Sequence, residues 1–362
     1  MKKIVFFIGN LNHSGGTERV STDIANMLIE HGYQVTFINL WGGDNPFFLL
    51  NENIKSFSLN SVRESFKKSY LLNVWKLRKL IKKYQFDIFI DVESMLCLYS
   101  IPALINLKIR HICWEHFNFK INLGKKSRDF ARQLAGIFAD NIITLTERDK
   151  QLWEKGLYWQ RANITAIPNP STFSPQDSEP KLENKIFLAV GRLTYQKGFD
   201  LLLQAWKEAL PKLDTGWKLT IVGDGEDKAQ LLSFIEKNQL SGSVSILSST
   251  KDIGKYYQSA SIYVLSSRFE GFGLVLVEAM NFGLPAISFD CDVGPREIVK
   301  HNITGWLCQA NDIIDLSNQL VLSSGIPEDT YKTLSDNSKR YCTIFSKEKI
   351  SEQWKLILNH DN

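Results

Sequence analysis

The sequence Ile4-Val5-Phe6-Phe7-Ile8, followed by Gly15-Gly16-Thr17-Glu18, shows the repeating pattern that decides the fold of this chain. A short, fully apolar run is typical of a strand buried on both faces, and the glycine pair opens a stretch with helical periodicity. The same order returns at residues 186–190, where an apolar run leads into Gly191 and further helical stretches. Buried strands that alternate with helices predict parallel sheets joined by crossover helices.

The predicted strands form two series, separated by a proline-rich break. They lie at residues 4–8, 35–40, 88–90, 109–114 and 142–145, and then at 186–190, 219–222, 244–247, 262–265 and 286–289. Predicted helices lie at residues 18–30, 63–84, 125–138, 201–210, 227–237, 275–282 and 313–322. The break runs from Pro168 to Pro180, and its prolines disfavour a helix or a central strand. We therefore predict a linker there and two doubly wound, Rossmann-like α/β domains, residues 1–168 and 169–346, that face each other across a cleft.

The composition is that of a globular protein of ordinary kind. The chain has 362 residues, of which 44% are hydrophobic and 23% charged, which excludes a disordered chain, a fibrous repeat and a disulfide-stapled mini-protein. Its net charge of +4 is too mild to indicate a nucleic-acid-binding protein. The five cysteines lack CxxC spacing, which indicates a reducing compartment and argues against a zinc site. We expect a cytoplasmic protein without a signal peptide or membrane span.

Positive charge is concentrated in the first domain. Residues 1–168 contain 23 Lys and Arg against 15 Asp and Glu, whereas the remainder is slightly acidic. Between Val62 and Tyr84, apolar residues recur every three or four positions. Much of the remainder is basic: Lys67, Lys68, Lys76, Arg78, Lys79, Lys82 and Lys83. This is an amphipathic basic helix, and it is either a crossover helix with a solvated face or a surface for anionic lipid headgroups. A peripheral position on the inner face of the cell membrane is therefore an open alternative.

Two glycine-containing loops are candidate anion sites. Gly15 and Gly16 follow the first strand, where they either bring backbone N–H groups close to a phosphate or simply form a flexible turn. In the second domain, Arg192 and Lys197 follow the strand at residues 186–190. A guanidinium and an ammonium together suit a diphosphate, although two solvated surface cations are the plain alternative.

The most informative stretch is Glu270-Gly271-Phe272-Gly273-Leu274-Val275-Leu276-Val277-Glu278. Two carboxylates flank a glycine-rich helix start, and Glu278 lies among apolar residues, where a charge needs a partner. A ribose diol is one such partner, because a carboxylate can accept both hydroxyl protons. The alternatives are a helix-dipole carboxylate for Glu270 and a core ion pair for Glu278.

Taken in order, these motifs resemble glycosyltransferase family 4, the retaining nucleotide-sugar transferases of GT-B fold. The resemblance rests on the glycine pair, Gly191-Arg192 with Lys197-Gly198, Val222-Gly223-Asp224-Gly225, and the Glu270–Glu278 pair, and it covers nearly the whole chain. It implies that a helix at residues 347–359 packs back on the first domain. It also implies a base-binding loop around residues 248–252.

The resemblance assigns roles to individual residues. It implies that Glu270 contacts the hydroxyls of the donor sugar and that Glu278 holds the ribose. The backbone of Gly271, Phe272 and Gly273 is implied to donate to sugar and phosphate. Arg192 and Lys197 are implied to bind the diphosphate, and the Gly15-Gly16 loop is implied to lie near the distal phosphate. The catalytic set is then Glu270, His116, Arg192 and Lys197, where His116 matches a cleft histidine near the transferred sugar. His111 is expected to be a packing residue.

The function we predict is transfer of a hexose from a UDP-sugar, UDP-galactose or UDP-N-acetylgalactosamine by preference, to a glycan acceptor. A lipid-linked acceptor and a place in lipopolysaccharide, O-antigen or capsule synthesis follow from the resemblance. No cofactor or metal is expected, and the Asp290-Cys291-Asp292 string is interpreted as idle. A sugar-nucleotide epimerase of the same fold and a catalytically silent partner subunit remain as alternatives.

Overall fold

The computed structural model describes residues 1–177 and 179–359, which divide into two compact units. The first unit comprises Met1–Pro170 together with the C-terminal segment that begins at Lys347, and the second comprises Ser171–Ser346. Each unit is built around its own parallel β-sheet, with helices supplied by the crossover connections.

The first unit contains a seven-stranded sheet. Its strands are β1 (Lys3–Ile8), β2 (Gln34–Asn39), β3 (Lys55–Ser58), β4 (Ile88–Val92), β5 (Arg110–Trp114), β6 (Asn141–Thr144) and β7 (Asn163–Ala166), in the spatial order β3-β2-β1-β4-β5-β6-β7. All pairs are parallel, and Ile4 of β1 lies between Val35 of β2 and Ile88 of β4. The strand order reverses at β1 and β4, which is the switch point where open α/β sheets bind ligands.

Helices of the first unit cover this sheet. They are α1 (Gly16–Glu30), α2 (Phe66–Tyr84), α3 (Cys97–Leu104), α4 (Lys126–Phe138) and α5 (Glu147–Gly156). One apolar core lies where Phe7 and Phe89 of the sheet meet Leu77 of α2, and all three side chains are fully buried. A second core contains Cys113 and Trp153.

The second unit repeats the architecture. Its strands are β8 (Ile186–Val190), β9 (Lys218–Val222), β10 (Val244–Leu247), β11 (Ile262–Leu265), β12 (Ala286–Phe289) and β13 (Gly305–Cys308), in the parallel order β10-β9-β8-β11-β12-β13. Its helices are α6 (Phe199–Ala209), α7 (Lys228–Lys237), α8 (Gly254–Ser259), α9 (Leu274–Asn281), α10 (Pro295–Ile298), α11 (Ile313–Ser324) and α12 (Glu328–Cys342). Here the strand order reverses between β8 and β11. The predicted fold class, two doubly wound α/β domains, is confirmed.

Every predicted strand is present. In the described chain, three further strands and five α-helices were not anticipated, and the helices are α3, α5, α8, α10 and the 15-residue α12. The strands that the sequence did not predict are β3, β7 and β13, and each has four residues and lies at a sheet edge. In β3, the sequence Lys55-Ser56-Phe57-Ser58 is largely exposed and polar, so it lacks the apolar run by which a buried strand is recognised. Such edge strands form because a neighbouring strand offers hydrogen-bonding partners.

The predicted linker is shorter than expected, because much of it packs onto the second unit. The Oγ of Ser171 accepts a hydrogen bond from Asn281 Nδ2 at 2.6 Å, and the ring of Phe173 lies 5.2 Å from that of Phe282. Gln176 N donates to Asn281 O at 2.7 Å. Serine and aromatic side chains in a proline-rich stretch therefore tie the chain to α9.

The last helix, α13 (Lys347–Asn359), packs within the first unit. Trp354 is buried, and its ring lies 4.9 Å from that of Trp114, which ends β5. Tyr33 Oη donates to Asn359 Oδ1 at 2.9 Å, and the backbone carbonyl of Leu358 accepts from Lys2 Nζ at 3.0 Å. Among the residues that the structure describes, no helix combines the length and apolar character needed to span a membrane.

Candidate functional site

The carboxyl edge of the second sheet brings together two predicted site residues that lie far apart in sequence. Lys197 follows β8, and its Nζ lies 2.6 Å from Oε1 of Glu270, which follows β11. The same oxygen accepts from Ser267 Oγ at 2.6 Å. Glu270 is buried and Lys197 is partly exposed. A fixed ammonium and carboxylate thus stand side by side at the sheet's switch point, where a ligand phosphate and its sugar hydroxyls have complementary partners.

The loop that carries Lys197 is held in a defined conformation. Gly198 has a φ of 62°, and a Cβ there would collide with the backbone oxygen of Ser266, so glycine is required. Arg268 pairs with Asp200 at 2.6 Å, and its guanidinium carbon lies 4.1 Å from the ring centre of Tyr195. Arg192, at the start of the loop, is exposed. The loop therefore offers one anchored and one solvent-facing cation.

The glycine-rich stretch before α9 forms the N-terminus of that helix. Gly273 is the N-cap residue with a φ of 97°, a conformation that favours glycine. Phe272 is buried, with its ring 5.6 Å from that of Phe345, and Gly271 precedes it. The first backbone N–H groups of a helix lack intrahelical acceptors and attract anions. This end of α9 can therefore add to the positive potential near Lys197.

Glu278 lies inside α9 and is buried. Its Oε1 accepts from Thr172 Oγ1 at 2.6 Å, and its Oε2 accepts from Tyr257 Oη at 2.9 Å. These hydroxyls hold the carboxylate in place, and each carboxylate oxygen can accept more than one hydrogen bond. The sequence predicted that Glu278 needs a partner but did not identify Thr172 or Tyr257.

Asp224 is a further member of this edge. It follows β9, and its carboxylate accepts from Ser249 N at 2.7 Å and from Lys228 Nζ at 2.8 Å. These hydrogen bonds, that of Lys228 foremost, hold the pKa of Asp224 well below its usual range. The glycine motif at residues 222–225 is therefore more than a simple turn, because Asp224 fastens the loop after β10, the predicted base-binding loop.

In the first unit, the loop with Gly15 and Gly16 leads into α1, as predicted. Gly15 is the N-cap residue and Gly16 the first helical residue. Gly16 is exposed, and beyond its chain neighbours and the backbone of its own helix no described heavy atom lies within 4 Å of the position that a Cβ on it would occupy. The backbone at Gly16 is thus accessible to a ligand, while the Glu18 carboxylate lies over Gly15.

His116 follows β5 and is buried. Its ring lies 4.3 Å from that of Trp114, and its Nε2 has no hydrogen-bonding partner within the part of the chain that is described. Burial lowers its pKa to about 4, although Glu115 acts in the opposite direction. His116 is therefore a neutral imidazole near pH 7. A buried imidazole nitrogen without a partner is uncommon, and it fits a residue that hydrogen-bonds to substrate.

His111 belongs to a polar cluster in the core of the first unit. Its Nε2 lies 2.6 Å from Asp91 Oδ2, which also accepts from Ser100 Oγ at 2.5 Å and from Cys97 Sγ at 3.2 Å. Asp91, Cys97 and His111 have the donor types and proximity that a metal ion requires. However, burial raises the pKa of the Cys97 thiol well above its usual value, and the carboxylate oxygen is already shared by three partners. We interpret the cluster as a packing element.

The Asp290-Cys291-Asp292 string lies after β12. Asp290 forms an ion pair with Arg296, which occupies its carboxylate. Cys291 is buried, and burial together with the nearby Glu270 raises the pKa of its thiol to about 12. The string thus borders the Glu270 region, and its first carboxylate is neutralised by arginine.

Helix α2 differs from its predicted amphipathic pattern. Leu77 and Ile81 are buried as expected, but Val62 and Phe66 are exposed. The buried face is completed by Asn73, whose Oδ1 accepts from Asn60 Nδ2 at 2.8 Å. The spacing of apolar residues did not predict that Asn73 is buried, because a hydrogen-bonded asparagine takes the place of an apolar residue at this contact.

The outer face of α2 instead combines lysines with large apolar side chains. Leu71 is 79% exposed and Trp75 is 58% exposed, and the Lys79 ammonium lies 5.3 Å from the Trp75 ring. The residues of this α2 stripe are spaced four apart and all exposed: Lys67, Leu71, Trp75, Lys79 and Lys83. Two predicted basic residues point elsewhere, since Lys76 and Arg78 donate to backbone carbonyls of neighbouring segments.

Comparisons with known proteins agree with this architecture. The model "Glycosyltransferase Family 4" matches residues 14–171, and the model "Glycosyl transferases group 1" matches residues 171–340. A crystal structure of a mutant S. aureus TarM, in complex with Fondaparinux, alpha-GlcNAc-glycerol and UDP, superimposes with a TM-score of 0.82 at 16% identity. The match covers 99% of this chain and 100% of that one. That likeness supports the GT-B fold.

Three curated relatives align over essentially their whole length. An uncharacterized glycosyltransferase of Haemophilus influenzae is 42% identical over 99% of this chain and 100% of its own. The amylovoran biosynthesis glycosyltransferase AmsD of Erwinia amylovora is 32% identical over 99% and 100%. An alpha-1,4-N-acetyl-D-galactosaminyltransferase of Campylobacter jejuni, named for its GalNAc-alpha-(1->4)-GalNAc-alpha-(1->3)-diNAcBac-PP-undecaprenol substrate, is 30% identical over 100% of both. The chain therefore belongs to glycosyltransferase family 4 and is a glycosyltransferase of bacterial polysaccharide synthesis.

Proposed function

We propose that this protein is a retaining hexosyltransferase that uses a UDP-sugar donor. The observation that carries the proposal is the Lys197–Glu270 pair, 2.6 Å apart beside the N-terminus of α9. An ammonium suits the diphosphate, and a buried carboxylate suits the hydroxyls of the sugar attached to it. Glu278, held by two hydroxyl groups, is positioned to accept hydrogen bonds from a ribose diol.

The chemical step requires stabilisation of negative charge on the leaving diphosphate. In the proposed reaction, the bond between the anomeric carbon and the phosphate oxygen breaks, and the acceptor hydroxyl oxygen bonds to the same face of that carbon. The acceptor proton passes to the leaving phosphate oxygen. Arg192, Lys197 and the α9 N-terminus stabilise the developing charge through fixed positive groups. No cofactor or metal ion takes part in the proposed step.

For the transferred sugar we propose galactose or N-acetylgalactosamine. Support comes from the Campylobacter jejuni relative, whose name specifies an N-acetyl-D-galactosaminyltransferase. The neutral His116 imidazole would contact the transferred sugar, since its buried Nε2 has no other partner among the described residues. A histidine that stays neutral can hydrogen-bond a sugar hydroxyl without placing a positive charge beside an oxocarbenium-like carbon.

For the acceptor we propose a lipid-linked glycan reached from the cytoplasmic face of the membrane. The same relative's name contains an undecaprenol diphosphate carrier. The α2 stripe combines exposed apolar residues with lysines, as helices that lie in the membrane interface do. Exposed Leu71 and Trp75 can enter the headgroup region while flanking lysines contact anionic lipids. The protein would then be a peripheral membrane enzyme.

Donor turnover tests the proposal. We would follow release of nucleoside diphosphate from UDP-galactose, UDP-N-acetylgalactosamine, UDP-glucose, UDP-N-acetylglucosamine and GDP-mannose, with and without octyl α-N-acetylgalactosaminide. We expect acceptor-dependent release of UDP from the first or second donor, and NMR should show an α-linked product. A β-linked product would exclude retention, and turnover of GDP-mannose alone would exclude the proposed donors.

The same experiment separates the two alternatives. A sugar-nucleotide epimerase would yield isomerised sugar or free UDP without an acceptor, and it would need further acid and base groups. A silent partner subunit would yield neither. The ordered Lys197–Glu270 and Glu278 contacts disfavour the silent subunit, because an unused buried charge pair is costly to keep.

A further inference from the structure

Glu93 stands out at the carboxyl edge of the first sheet because of its backbone. It directly follows β4 and has φ 92° and ψ 145°, a region that is essentially restricted to glycine. The seven other described non-glycine residues with positive φ have values between 51° and 63°. The strained conformation is maintained by hydrogen bonds, since Glu93 N donates to Trp114 O at 2.8 Å and Glu93 O accepts from Leu96 N at 3.2 Å. Glycine at this position would relieve the strain.

The carboxylate of Glu93 is paired but remains accessible. Arg128 Nη1 lies 3.2 Å from Glu93 Oε2, and the side chains are 6% and 27% exposed, respectively. The Arg128 guanidinium carbon lies 4.3 Å from the ring centre of Phe117, so the arginine is fixed on both sides. One arginine N–H satisfies a small part of the acceptor capacity of a carboxylate. The accessible end of the pair is therefore the Glu93 carboxylate.

Two buried nitrogen atoms, one on α4 and one just after β5, have no hydrogen-bonding partner among the described residues. β4 and β5 are neighbours, with Val92 opposite Trp114, so Glu93 and the segment from Glu115 to Phe117 leave the sheet side by side. Arg128 Nε and His116 Nε2 are both buried without a hydrogen-bonding partner in the described chain. Buried donors and acceptors are normally satisfied, and the unpartnered Nε of Arg128, whose Nη1 contacts an accessible carboxylate, indicates a site that a ligand completes.

We infer that Glu93, supported by Arg128 and Phe117, binds hydroxyl groups of the terminal pyranose of the acceptor. The inference rests on the proposed function, because it assigns the acceptor side of the same reaction. A carboxylate accepts hydrogen bonds from two neighbouring hydroxyls, and a fixed arginine orients it. Burial raises the pKa of the Glu93 carboxyl, and the charge of Arg128 acts in the opposite direction. Glycine would fit the backbone at this position better, but it has no carboxylate. The strained glutamate is therefore retained for the carboxylate that its side chain provides.

Two variants of Glu93 and one matched control test the inference. Glu93→Gly removes both the carboxylate and the strain, and Glu93→Gln keeps the shape without the charge. Gln85→Gly is the control, since Gln85 also has positive φ, at 52°, but caps the far end of α2. The probes are UDP-N-acetylgalactosamine as donor and octyl α-N-acetylgalactosaminide as acceptor.

Gln85→Gly should melt at or above the wild-type temperature. Glu93→Gly gains from the relief of strain but leaves the buried Arg128 guanidinium without its carboxylate, so its melting temperature serves to confirm folding. The acceptor KM should rise by about tenfold or more in Glu93→Gly and by a smaller factor in Glu93→Gln. UDP affinity should be unchanged in both, and Gln85→Gly should keep the wild-type acceptor KM. An unchanged acceptor KM in Glu93→Gly would overturn the inference.

Binding of the octyl glycoside is also measured by saturation-transfer NMR without donor, which makes the two proposals separable. Acceptor binding that is weakened in the Glu93 variants supports the inference even if the wild type transfers no sugar. That lack of transfer would contradict the proposed function alone. A wild-type protein that binds UDP but gives no saturation transfer to the glycoside would overturn the inference.

Discussion

At the residue scale, the Lys197–Glu270 pair shows what this fold brings together. The two residues are 73 positions apart, and each follows a strand adjacent to the switch point of the second sheet. Both side chains are largely removed from solvent, so the pair adds little to stability after its desolvation cost. A role in function rather than in stability is the natural interpretation, because charges fixed before a ligand arrives need no reorganisation during the reaction.

Glu278 gives a sharp prediction at this scale. Glu278→Ala should weaken UDP binding by about 1.5–3 kcal/mol, because charge-assisted hydrogen bonds to the ribose are lost. Isothermal titration calorimetry with UDP measures the loss. Tyr257→Phe is the matched control, since it removes one hydrogen bond to Glu278 and keeps the ring, which stacks 5.2 Å from Phe282. It should therefore lose less UDP affinity than Glu278→Ala.

The alternative role of Glu278 is purely structural. In that case Glu278→Ala would lower the melting temperature while leaving UDP affinity unchanged. The role of the carboxylate would then be only to accept the hydrogen bonds of the Thr172 and Tyr257 hydroxyls.

At the element scale, the exposed face of α2 has a composition that predicts membrane binding. The face that packs on the sheet includes Asn73 and Leu77, while the α2 stripe presents two apolar residues between lysines. Exposed apolar side chains flanked by lysines on one helix face are the arrangement that interfacial helices use. We therefore expect this helix to bind vesicles that contain anionic lipid.

Co-sedimentation with such vesicles tests α2. Charge reversal at Lys67, Lys68, Lys79 and Lys83 should weaken binding and its salt dependence, because each cation near an anionic surface contributes about 1 kcal/mol. Trp75→Ser with Leu71→Ser should remove the part of binding that persists at high salt. Reversal of Lys207, an exposed lysine of the second unit, is the control and should have little effect. Absence of vesicle binding at any salt concentration would show that the stripe is a solvated helix face.

At the scale of the whole molecule, the chain combines two sheets of similar strand order, and only the second unit carries the predicted cation pair for the diphosphate. Activity should therefore survive EDTA, since Arg192, Lys197 and the α9 N-terminus provide the positive charge. Asp290 is neutralised by Arg296 and is not needed as a metal ligand. The measurement is UDP release with EDTA present, compared with the same reaction supplemented with Mn²⁺. Complete loss that Mn²⁺ restores would overturn the metal-independent step.

Local sequence patterns were sufficient for the repeating fold. Buried parallel strands are continuous apolar runs, and glycines mark the strand-to-helix turns, so residues 4–8 and 186–190 could be located without tertiary information. The same holds for the order of site motifs along the chain. Strand β3 could not be located in this way, because its exposed residues are ordered by pairing with β2 rather than by burial.

Only the tertiary structure determined which side chains are in contact and how deeply each of them is buried. Contact between Lys197 and Glu270 depends on the adjacency of β8 and β11, which sequence distance does not reveal. The low pKa of His116 depends on burial against Trp114, and the strain at Glu93 depends on hydrogen bonds made by its backbone. Residue type and spacing thus determined the fold class and the candidate chemistry. Burial, pairing and strain arise from long-range packing, and they decided the geometry of the site.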